Sequence, residues 1–480
     1  MSATDIRTPN EQAVEPAFKP ASPYFRYDLL QIPLLNAIVR HRAFQFSLLL
    51  VNLFFFALVI MTGLFGTPVG NHNLSIIFVW IVWWALLIIV LIPFAGRLWC
   101  TMCPIPAPGE WIQRRLSFIR RSNGTPFTKG KEWPSALRNI WIQNFAFLGV
   151  AMFSAIILTL PVATGVLLSL FIALAIVLSL VYKRRVFCRY VCPVGGFIGL
   201  YSMVAPIEVR VKNPETCQRH CGKQCIRGSE KGYGCPWMEY PGTLERNAYC
   251  GMCTECIKTC PVNNVALNIR PFGQDLLVPK RHLDEGYKGL IMLAAAVVYS
   301  AVMLGPWGWI KEAANMTTPS HYLMYAGSLI TTALLLVPGL FLGFTWAAKL
   351  LSGVKDVSLK RLFTGYSYAL VPMGLMGWIA FSFTFVFING SYAISVISDP
   401  FGWGWDLFGT KHFLWTPVFS RWVPFVQIPS LLLGLVTSII LADKISREYF
   451  TDRWAAQKSL IPIALFLLGT TFAFLRLYMG

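Results

Sequence analysis

The chain has 480 residues, a mean hydropathy of +0.56, 55% hydrophobic residues and only 13% charged residues. This composition excludes an ordinary soluble globular protein and predicts a polytopic membrane protein. The formal net charge of +19 does not indicate nucleic-acid binding. The basic residues lie mostly in loops between apolar segments, where membrane topology accounts for them.

The N-terminal tail precedes the first apolar segment. Residues 1–25 are polar and lack the apolar stretch of a cleavable signal peptide. Residues 28–40 are predicted to lie as a short amphipathic segment on the membrane surface, ending in Arg40-His41-Arg42. We therefore assign residues 1–42 as a cytoplasmic tail with an interfacial segment.

Nine apolar segments follow, each long enough to cross a hydrocarbon core of about 30 Å. They are predicted at residues 43–66, 74–95, 139–160, 166–182, 289–310, 322–347, 363–388, 424–442 and 459–476. With the N-terminus in the cytoplasm, only four of the 41 Lys and Arg residues fall outside, namely Lys311, Lys411, Arg421 and Arg476. The positive-inside rule therefore predicts an inner-membrane protein with a cytoplasmic N-terminus and a C-terminus outside.

The first four segments, at 43–210 with their loops, contain an internal repeat. Segments one and two lead into R-L-W-C-T-M-C-P-I at 97–105, and segments three and four lead into R-V-F-C-R-Y-V-C-P-V at 185–194. Both hairpins enter and leave the membrane on the same side. Four cysteines are therefore predicted to emerge at one depth on the cytoplasmic face: Cys100, Cys103, Cys188 and Cys192.

The other eight cysteines lie in a hydrophilic insert at 211–288. Residues 250–261 read C-G-M-C-T-E-C-I-K-T-C-P, which is the C-x2-C-x2-C-x3-C-P run of bacterial ferredoxins. A looser upstream run consists of Cys217, Cys221, Cys225 and Cys235-Pro236. The main alternative for paired Cys-x2-Cys is a structural zinc site. The insert has little apolar sequence, so bound metal is predicted to hold it folded.

In a two-cluster ferredoxin, the cysteine before the proline ligates the other cluster. This rule predicts two [4Fe–4S] clusters. One would be held by Cys217, Cys221, Cys225 and Cys260, and the other by Cys235, Cys250, Cys253 and Cys256.

The four membrane cysteines Cys100, Cys103, Cys188 and Cys192 have three interpretations. They could coordinate a third metal centre or cluster, or shuttle as a dithiol and disulfide. Alternatively, the Cys-Pro turns only cap the helical hairpins and the thiols are small apolar side chains. Our prediction is that the four thiols coordinate a metal centre or cluster, and the other two interpretations stay open.

The apolar segments lack several groups on which other redox and transport proteins depend. None of the six histidines lies mid-segment, so a bis-histidine haem is not predicted. No Asp or Glu falls inside a predicted segment, which disfavours ion-coupled transport. The polar side chains that a quinone site would need are scarce, and each is more often an interhelical contact: Gln143, Asn144, Tyr366 and Tyr368. No catalytic residue is nominated.

The last five segments, at 289–480, contain no cysteine. The loop at 390–422 that joins two of them is long and rich in Trp and Phe. Tryptophan favours the membrane interface. The loop therefore forms either an interfacial belt or a docking surface for a redox partner outside the cell membrane.

Two stretches carry a family resemblance: F-C-R-Y-V-C-P-V-G-G at 187–196 and the run at 250–261. Over residues 43–265 the chain resembles the membrane polyferredoxins typified by NapH, a quinol dehydrogenase subunit, with NosR and CcoG similar. It departs from them in the shorter spacing of Cys100-x2-Cys103 and in the C-terminal half. The resemblance implies electron transfer linked to the quinone pool, within a larger complex.

The sequence therefore predicts an all-α integral membrane protein of about nine transmembrane helices with a small cytoplasmic ferredoxin-like 2[4Fe–4S] insert. The leading function is electron transfer between quinone and a redox partner protein. One alternative is an assembly or maturation factor that reduces a metal such as copper for another enzyme. The other is a non-redox membrane scaffold or transporter with structural metal sites.

Overall fold

A computed structural model describes residues 24–113, 130–219, 222–304, 312–314 and 318–479. Most of the predicted tail, at residues 1–23, and the predicted ligand Cys221 lie outside the described residues. In chain order the helices are α1 (Pro33–Arg40), α2 (Ala43–Phe65), α3 (Leu74–Ala95), α4 (Leu98–Met102), α5 (Ala107–Gln113), α6 (Trp141–Met152), α7 (Ser154–Thr159), α8 (Pro161–Val181), α9 (Pro193–Tyr201), α10 (Pro214–Arg219), α11 (Gln224–Arg227), α12 (Glu255–Thr259), α13 (Leu283–Met303), α14 (Pro319–Ser352), α15 (Leu359–Asn389), α16 (Tyr392–Ser398), α17 (Ser420–Tyr449) and α18 (Arg453–Met479).

Within the described residues, eight helices are long and apolar enough to cross a membrane: α2, α3, α8, α13, α14, α15, α17 and α18. The predicted third segment is not one helix, because it divides at Phe153 into α6 and α7. Near the break, the Ala151 carbonyl accepts from the hydroxyls of Tyr325 and Tyr299 at 3.3 and 3.5 Å, in addition to the Phe153 N–H.

Helix α13 begins at Leu283, six residues before the predicted segment, so its first turns lie in the stretch predicted as part of the insert. Its first turn carries Asp284 and Glu285. Acidic residues favour a helix N-terminus because they complement the helix dipole. Both have partners: Asp284 accepts from the Ile140 backbone N–H at 2.9 Å, and Glu285 accepts from Arg246 at 2.7 Å.

The N-terminal and C-terminal halves share one hydrophobic core. Trp378 of α15 packs against Trp84 of α3 and Phe197 of α9, with ring centroids 5.7 and 5.5 Å apart. Two-thirds of the apolar windows of α13 and α15 are buried, compared with 22% of that of α2. The C-terminal helices therefore pack on the module that carries the membrane cysteines.

The insert contributes strand β3 to a three-stranded antiparallel sheet in the order β1-β3-β2, where β1 is Tyr27–Asp28, β2 is Ile207–Val211 and β3 is Val265–Ile269. Strands β2 and β3 pair from Ile207 opposite Ile269 to Val211 opposite Val265. Strand β1 comes from the N-terminal segment and pairs with the other edge of β3. The tail therefore belongs to the sheet of the insert, which the sequence did not predict.

Helix α1 lies against the insert through one face. Val39 is buried in the same cluster as Cys225, Cys256 and Cys260. Arg40 donates to the Ile257 carbonyl at 3.2 Å. The amphipathic character predicted for this segment is therefore used, on one face, to cover the cysteine-bearing loops of the insert.

Candidate functional site

Four cysteines of the insert lie close together: Cys235, Cys250, Cys253 and Cys256. Burial, and then the neighbouring Cys250, raise the pKa of Cys235 to about 11. Burial and then Cys253 raise the pKa of Cys250 to about 11, and burial and then Cys235 raise the pKa of Cys253 to about 12. Burial raises the pKa of Cys256 well above its usual value, and each of the other three raises it further. Every pair among the four thiols therefore interacts electrostatically, as the ligands of one centre would.

The described members of the other predicted set are Cys217, Cys225 and Cys260. Asn264 joins two of them, because its backbone N–H donates to the Cys260 sulfur and its side-chain Nδ2 donates to the Cys217 sulfur, both at 3.2 Å. Cys225 is buried and contributes to the raised pKa of Cys256. The two sets of thiols therefore adjoin each other at Cys225 and Cys256.

The four membrane cysteines also lie together. Burial, and then Cys192, raise the pKa of Cys188 well above its usual value, and Cys103 and Cys100 add to the shift. Burial and two neighbouring thiols, Cys100 and Cys192, raise the pKa of Cys103. Burial and Cys100 raise the pKa of Cys192 to about 11. The structure thus places the cysteines of both repeat copies at one site.

The two pairs of membrane cysteines differ by one residue in their spacing, and a local change in helix geometry compensates for this difference. Residues Phe187–Val191 form a π-helical turn, and the Cys192 N–H donates to the Phe187 carbonyl at 2.7 Å. A π turn holds one more residue than an α turn. The longer Cys188-x3-Cys192 spacing and the shorter Cys100-x2-Cys103 spacing therefore reach the same site. Cys192 also caps α9, since its sulfur accepts the Gly195 N–H at 3.2 Å.

Each repeat copy carries an arginine three residues before its first cysteine, and each arginine contacts the other copy. Arg97 donates to the Gly195 carbonyl at 3.1 Å. Arg185 donates to the Cys100 carbonyl at 3.2 Å and forms a buried ion pair with Glu110 at 2.6 Å. These reciprocal contacts hold the two loops, and therefore the four thiols, side by side.

The insert is fastened directly onto these loops. Thr101, next to Cys100, donates its hydroxyl to the Gly251 carbonyl at 2.8 Å. Burial lowers the pKa of Arg185, but Glu110 first, and then Cys188 and Cys253, outweigh it and raise that pKa. Arg185 therefore lies between the membrane thiols and the thiols of the insert.

The loop around Trp237 makes a second attachment. The Arg97 guanidinium lies 4.3 Å from the centroid of the Trp237 ring, and Arg189 donates to the Trp237 carbonyl at 2.5 Å. A side chain at Gly251 would overlap the Trp237 indole. Glycine at this position therefore permits the close approach of the two cysteine-bearing loops.

A cavity of about 470 Å³ opens beside the membrane thiols, and all four of them line it. From there it extends between the helices to Thr159 and Met303, at the far ends of α7 and α13. The described lining contains no Asp, Glu, His, Lys or Arg. Among its few polar groups is the Trp83 indole N–H, which is buried and has no acceptor in the described part of the chain. A buried indole N–H usually has a partner, so a ligand acceptor is expected here.

The polar residues considered for a quinone site do not line this cavity. Gln143 donates to the carbonyls of Cys188 and Arg189, and Asn144 donates to that of Asp284. The Tyr366 hydroxyl is 2.8 Å from that of Ser459, and the Tyr368 hydroxyl bonds to Glu285. These four polar residues therefore make contacts between elements of the protein, as the sequence analysis expects of most such residues.

Zinc and an iron–sulfur cluster make different demands on the positions of the thiols. Among the described residues, no three His, Cys, Asp or Glu side chains converge on one point that could hold a single ion. Zinc needs its sulfur ligands about 2.3 Å from one point. A [4Fe–4S] cluster instead takes one thiolate at each of four separate irons, so its ligands stand farther apart.

A residue that the sequence analysis missed supports an anionic group at the membrane thiols. Lys288 of α13 is fully buried, and its ammonium has no hydrogen-bond acceptor within the described chain. Arg97 Nε, in the same region, is also unpartnered. Burial disfavours the charged form of a lysine, and a cluster with four thiolates would supply the negative charge that favours it. The acidic first turn at Asp284-Glu285 is a helix-start signal that would have placed Lys288 inside the span.

Comparison with known proteins matches the membrane module. The 4Fe–4S binding domain family matches residues 76–126 and 163–210. These two ranges include all four membrane cysteines and agree with the internal repeat. A curated relative, described as "Putative electron transport protein YccM" of Escherichia coli (strain K12), is 32% identical over 82 residues.

That alignment covers 17% of this chain, and the chain spans about a fifth (21%) of the relative's length. No solved structure matches. The family match and the apolar helices support a multi-pass membrane protein that binds 4Fe–4S clusters.

Proposed function

We propose that this chain is a membrane iron–sulfur protein that passes electrons between the quinone pool and a redox partner protein. Its eight insert cysteines would hold two [4Fe–4S] clusters. The four membrane cysteines, Cys100, Cys103, Cys188 and Cys192, would hold a third centre. The observation that carries the proposal is the position of these four thiols, which lie between the insert and an apolar cavity.

The three sets of thiols form a continuous series. The two insert sets adjoin at Cys225 and Cys256. The set of Cys235, Cys250, Cys253 and Cys256 adjoins the membrane thiols at Gly251, because the Gly251 carbonyl accepts a hydrogen bond from the Thr101 hydroxyl. When bound, [4Fe–4S] clusters accept and donate single electrons over a wide range of potentials. The chain's own part is to hold the sets in this order and to bury them from water.

The cavity supports a quinone as the membrane-side partner. Small-molecule sites commonly enclose about 300–1,000 Å³ and are mostly apolar with few polar groups, and this cavity of about 470 Å³ meets that description. The unpartnered Trp83 N–H would donate to a quinone carbonyl oxygen. The aromatic walls would exclude water and ions from the site.

The orientation follows from the charge distribution. We place the N-terminus and the insert in the cytoplasm and the C-terminus outside, in the inner membrane. A partner protein would then exchange electrons at the Cys217 set, where Cys217 is partly exposed. The chain would act as a quinol dehydrogenase-type subunit of a larger complex.

The test is iron, labile sulfide and EPR on protein purified without oxygen, before and after addition of a short-chain quinol. We expect about twelve irons per chain, four for each cluster, and reduction of the clusters by the quinol. The variant Cys100→Ser with Cys188→Ser should retain about eight irons, because only the third centre loses ligands. Its insert clusters should no longer be reduced by the quinol.

Other results separate the alternatives. Wild-type protein with about eight irons would remove the third centre and retain the insert clusters. Clusters that form but never respond to quinol would favour a metal-reducing assembly factor. Zinc in place of iron in anaerobic protein would favour a structural metal protein and contradict electron transfer.

A further inference from the structure

We propose that Lys288 sets the reduction potential of the membrane centre as a positive charge that the negative charge of that centre keeps protonated, without being a ligand. This inference rests on the third centre of the proposed function. Lys288 is a positioning residue because it acts through its field on the group that Cys100, Cys103, Cys188 and Cys192 would hold.

The structure fixes the ammonium next to this site. A Cβ on Gly196 would lie 2.5 Å from Lys288 Nζ, so the ammonium sits directly against Gly196. Gly196 is four residues after Cys192, and its N–H donates to the Cys192 carbonyl at 3.0 Å. Nζ is also 5.8 Å from the ring centroid of Phe147, which lines the cavity. Glycine at 196 therefore makes room for the ammonium beside the second Cys-Pro turn.

No other described group neutralises this charge. Lys288 is fully buried and its Nζ has no acceptor in the described chain. Of the two arginines nearby, Arg185 is already paired with Glu110 at 2.6 Å. Arg97 donates to backbone carbonyls, which are neutral. The site thus carries net positive charge that is complementary to an anionic cluster.

The charge must affect the two oxidation states unequally. Reduction adds one negative charge to a cluster, and a nearby positive charge stabilises the more negative state more strongly. Because Lys288 is buried, solvent and salt screen this attraction only weakly. Removing the charge should therefore lower the reduction potential of the membrane centre and leave the two insert clusters nearly unchanged.

The experiment compares Lys288→Met with wild type by EPR-monitored redox titration of the full-length anaerobic protein. We expect the equilibrium constant for reduction of the third centre to fall at least tenfold, which corresponds to a reduction potential lower by about 59 mV for a one-electron couple. Lys288→Arg keeps the charge and should stay close to wild type. Lys258→Met is the matched control, since Lys258 is a buried lysine of the insert paired with Glu255 at 3.0 Å. It should shift only the insert clusters.

The outcomes are separable. A loaded third centre whose potential is unchanged in Lys288→Met overturns the role of Lys288 and leaves the proposed function intact. Absence of the third centre from wild type overturns the role of Lys288 and limits the proposed function to the two insert clusters. Loss of the third centre from Lys288→Met, with its retention in Lys288→Arg, supports the proposal, because charge is then needed to hold the group. Its loss from both variants shows a packing role and overturns the proposal.

Discussion

Buried arginines organise the site at the scale of single residues. Arg97 and Arg185 occupy equivalent places in the two repeat copies, and each donates to a backbone carbonyl of the other copy. Neither contact is local in sequence, because the partners are 98 and 85 residues away. Each copy therefore helps to position the cysteine-bearing loop of the other.

Asn264 makes a comparable contribution to the insert. One residue donates to the sulfurs of both Cys217 and Cys260, which are 43 residues apart in the chain. Hydrogen bonds to cluster sulfurs tune the reduction potential. The sequence motif predicts which cysteines belong together, but it does not predict the amide that holds two of them.

The indole of Trp83 carries a residue-scale prediction. Changing Trp83→Phe should retain all clusters and raise the quinol concentration needed for half-maximal reduction by about tenfold, because one buried hydrogen bond contributes about 1 kcal/mol or slightly more. The measurement is the initial rate of cluster reduction against quinol concentration. Trp346→Phe is the control, since Trp346 is 55% exposed and does not line the cavity. Equal effects of the two variants would show that Trp83 does not contact the quinol.

Individual elements have acquired roles that their sequence patterns only partly indicate. Helix α1 has an amphipathic pattern, which predicts a membrane-surface segment, yet its buried face contacts the insert. The same segment supplies β1 to the sheet. Its other face remains open, with Leu34 72% exposed. A helix of this kind links the insert to the start of the first membrane span.

A substitution on each face of α1 tests this arrangement. Val39→Asp should destabilise the insert by about 3–5 kcal/mol, because it buries an unpaired carboxylate among cysteine-bearing loops. The clusters should then bleach faster in air, measured by their visible absorbance. Leu34→Asp, on the exposed face, should leave the bleaching rate unchanged. If Leu34→Asp is the more damaging of the two, the helix acts mainly at the membrane surface.

The number of membrane crossings is decided at the scale of the whole molecule. Helix α8 begins at the end of the bundle opposite the cysteines, since Pro161 contacts Gly63 near the end of α2. The chain must therefore return across the bundle through α6 and α7, although neither is long enough to span it alone. Counting α6 and α7 together as one crossing agrees with the prediction of nine crossings, with the two termini on opposite sides, and this topology stays a prediction.

Reporter fusions test this topology. A reporter enzyme that is active only outside the cytoplasm should be active when fused after Met479 and inactive when fused after Lys355, in the loop between α14 and α15. The reason is that three crossings, α15, α17 and α18, separate these two positions. Activity at both positions or at neither would contradict it, and activity at Lys355 alone would reverse the orientation.

The sequence by itself determined the membrane class and the repeat, and it predicts the sets of cysteines. Each of these features depends only on a short stretch of sequence. An apolar run needs only its own length to span a bilayer, and a run of ligands needs only its own spacing. The insert and the repeat could therefore be recognised without knowledge of the fold. One predicted span boundary differs from the structure, because α13 begins at Leu283, six residues before the predicted segment.

Only the tertiary structure decided what surrounds the thiols. Lys288, Trp83 and Gly196 are ordinary residues in sequence, and their importance comes from burial and from the absence or closeness of partners. The cavity exists because helices from both halves of the chain meet beside the cysteines. Such properties depend on contacts between residues far apart in the chain, and no local pattern encodes them.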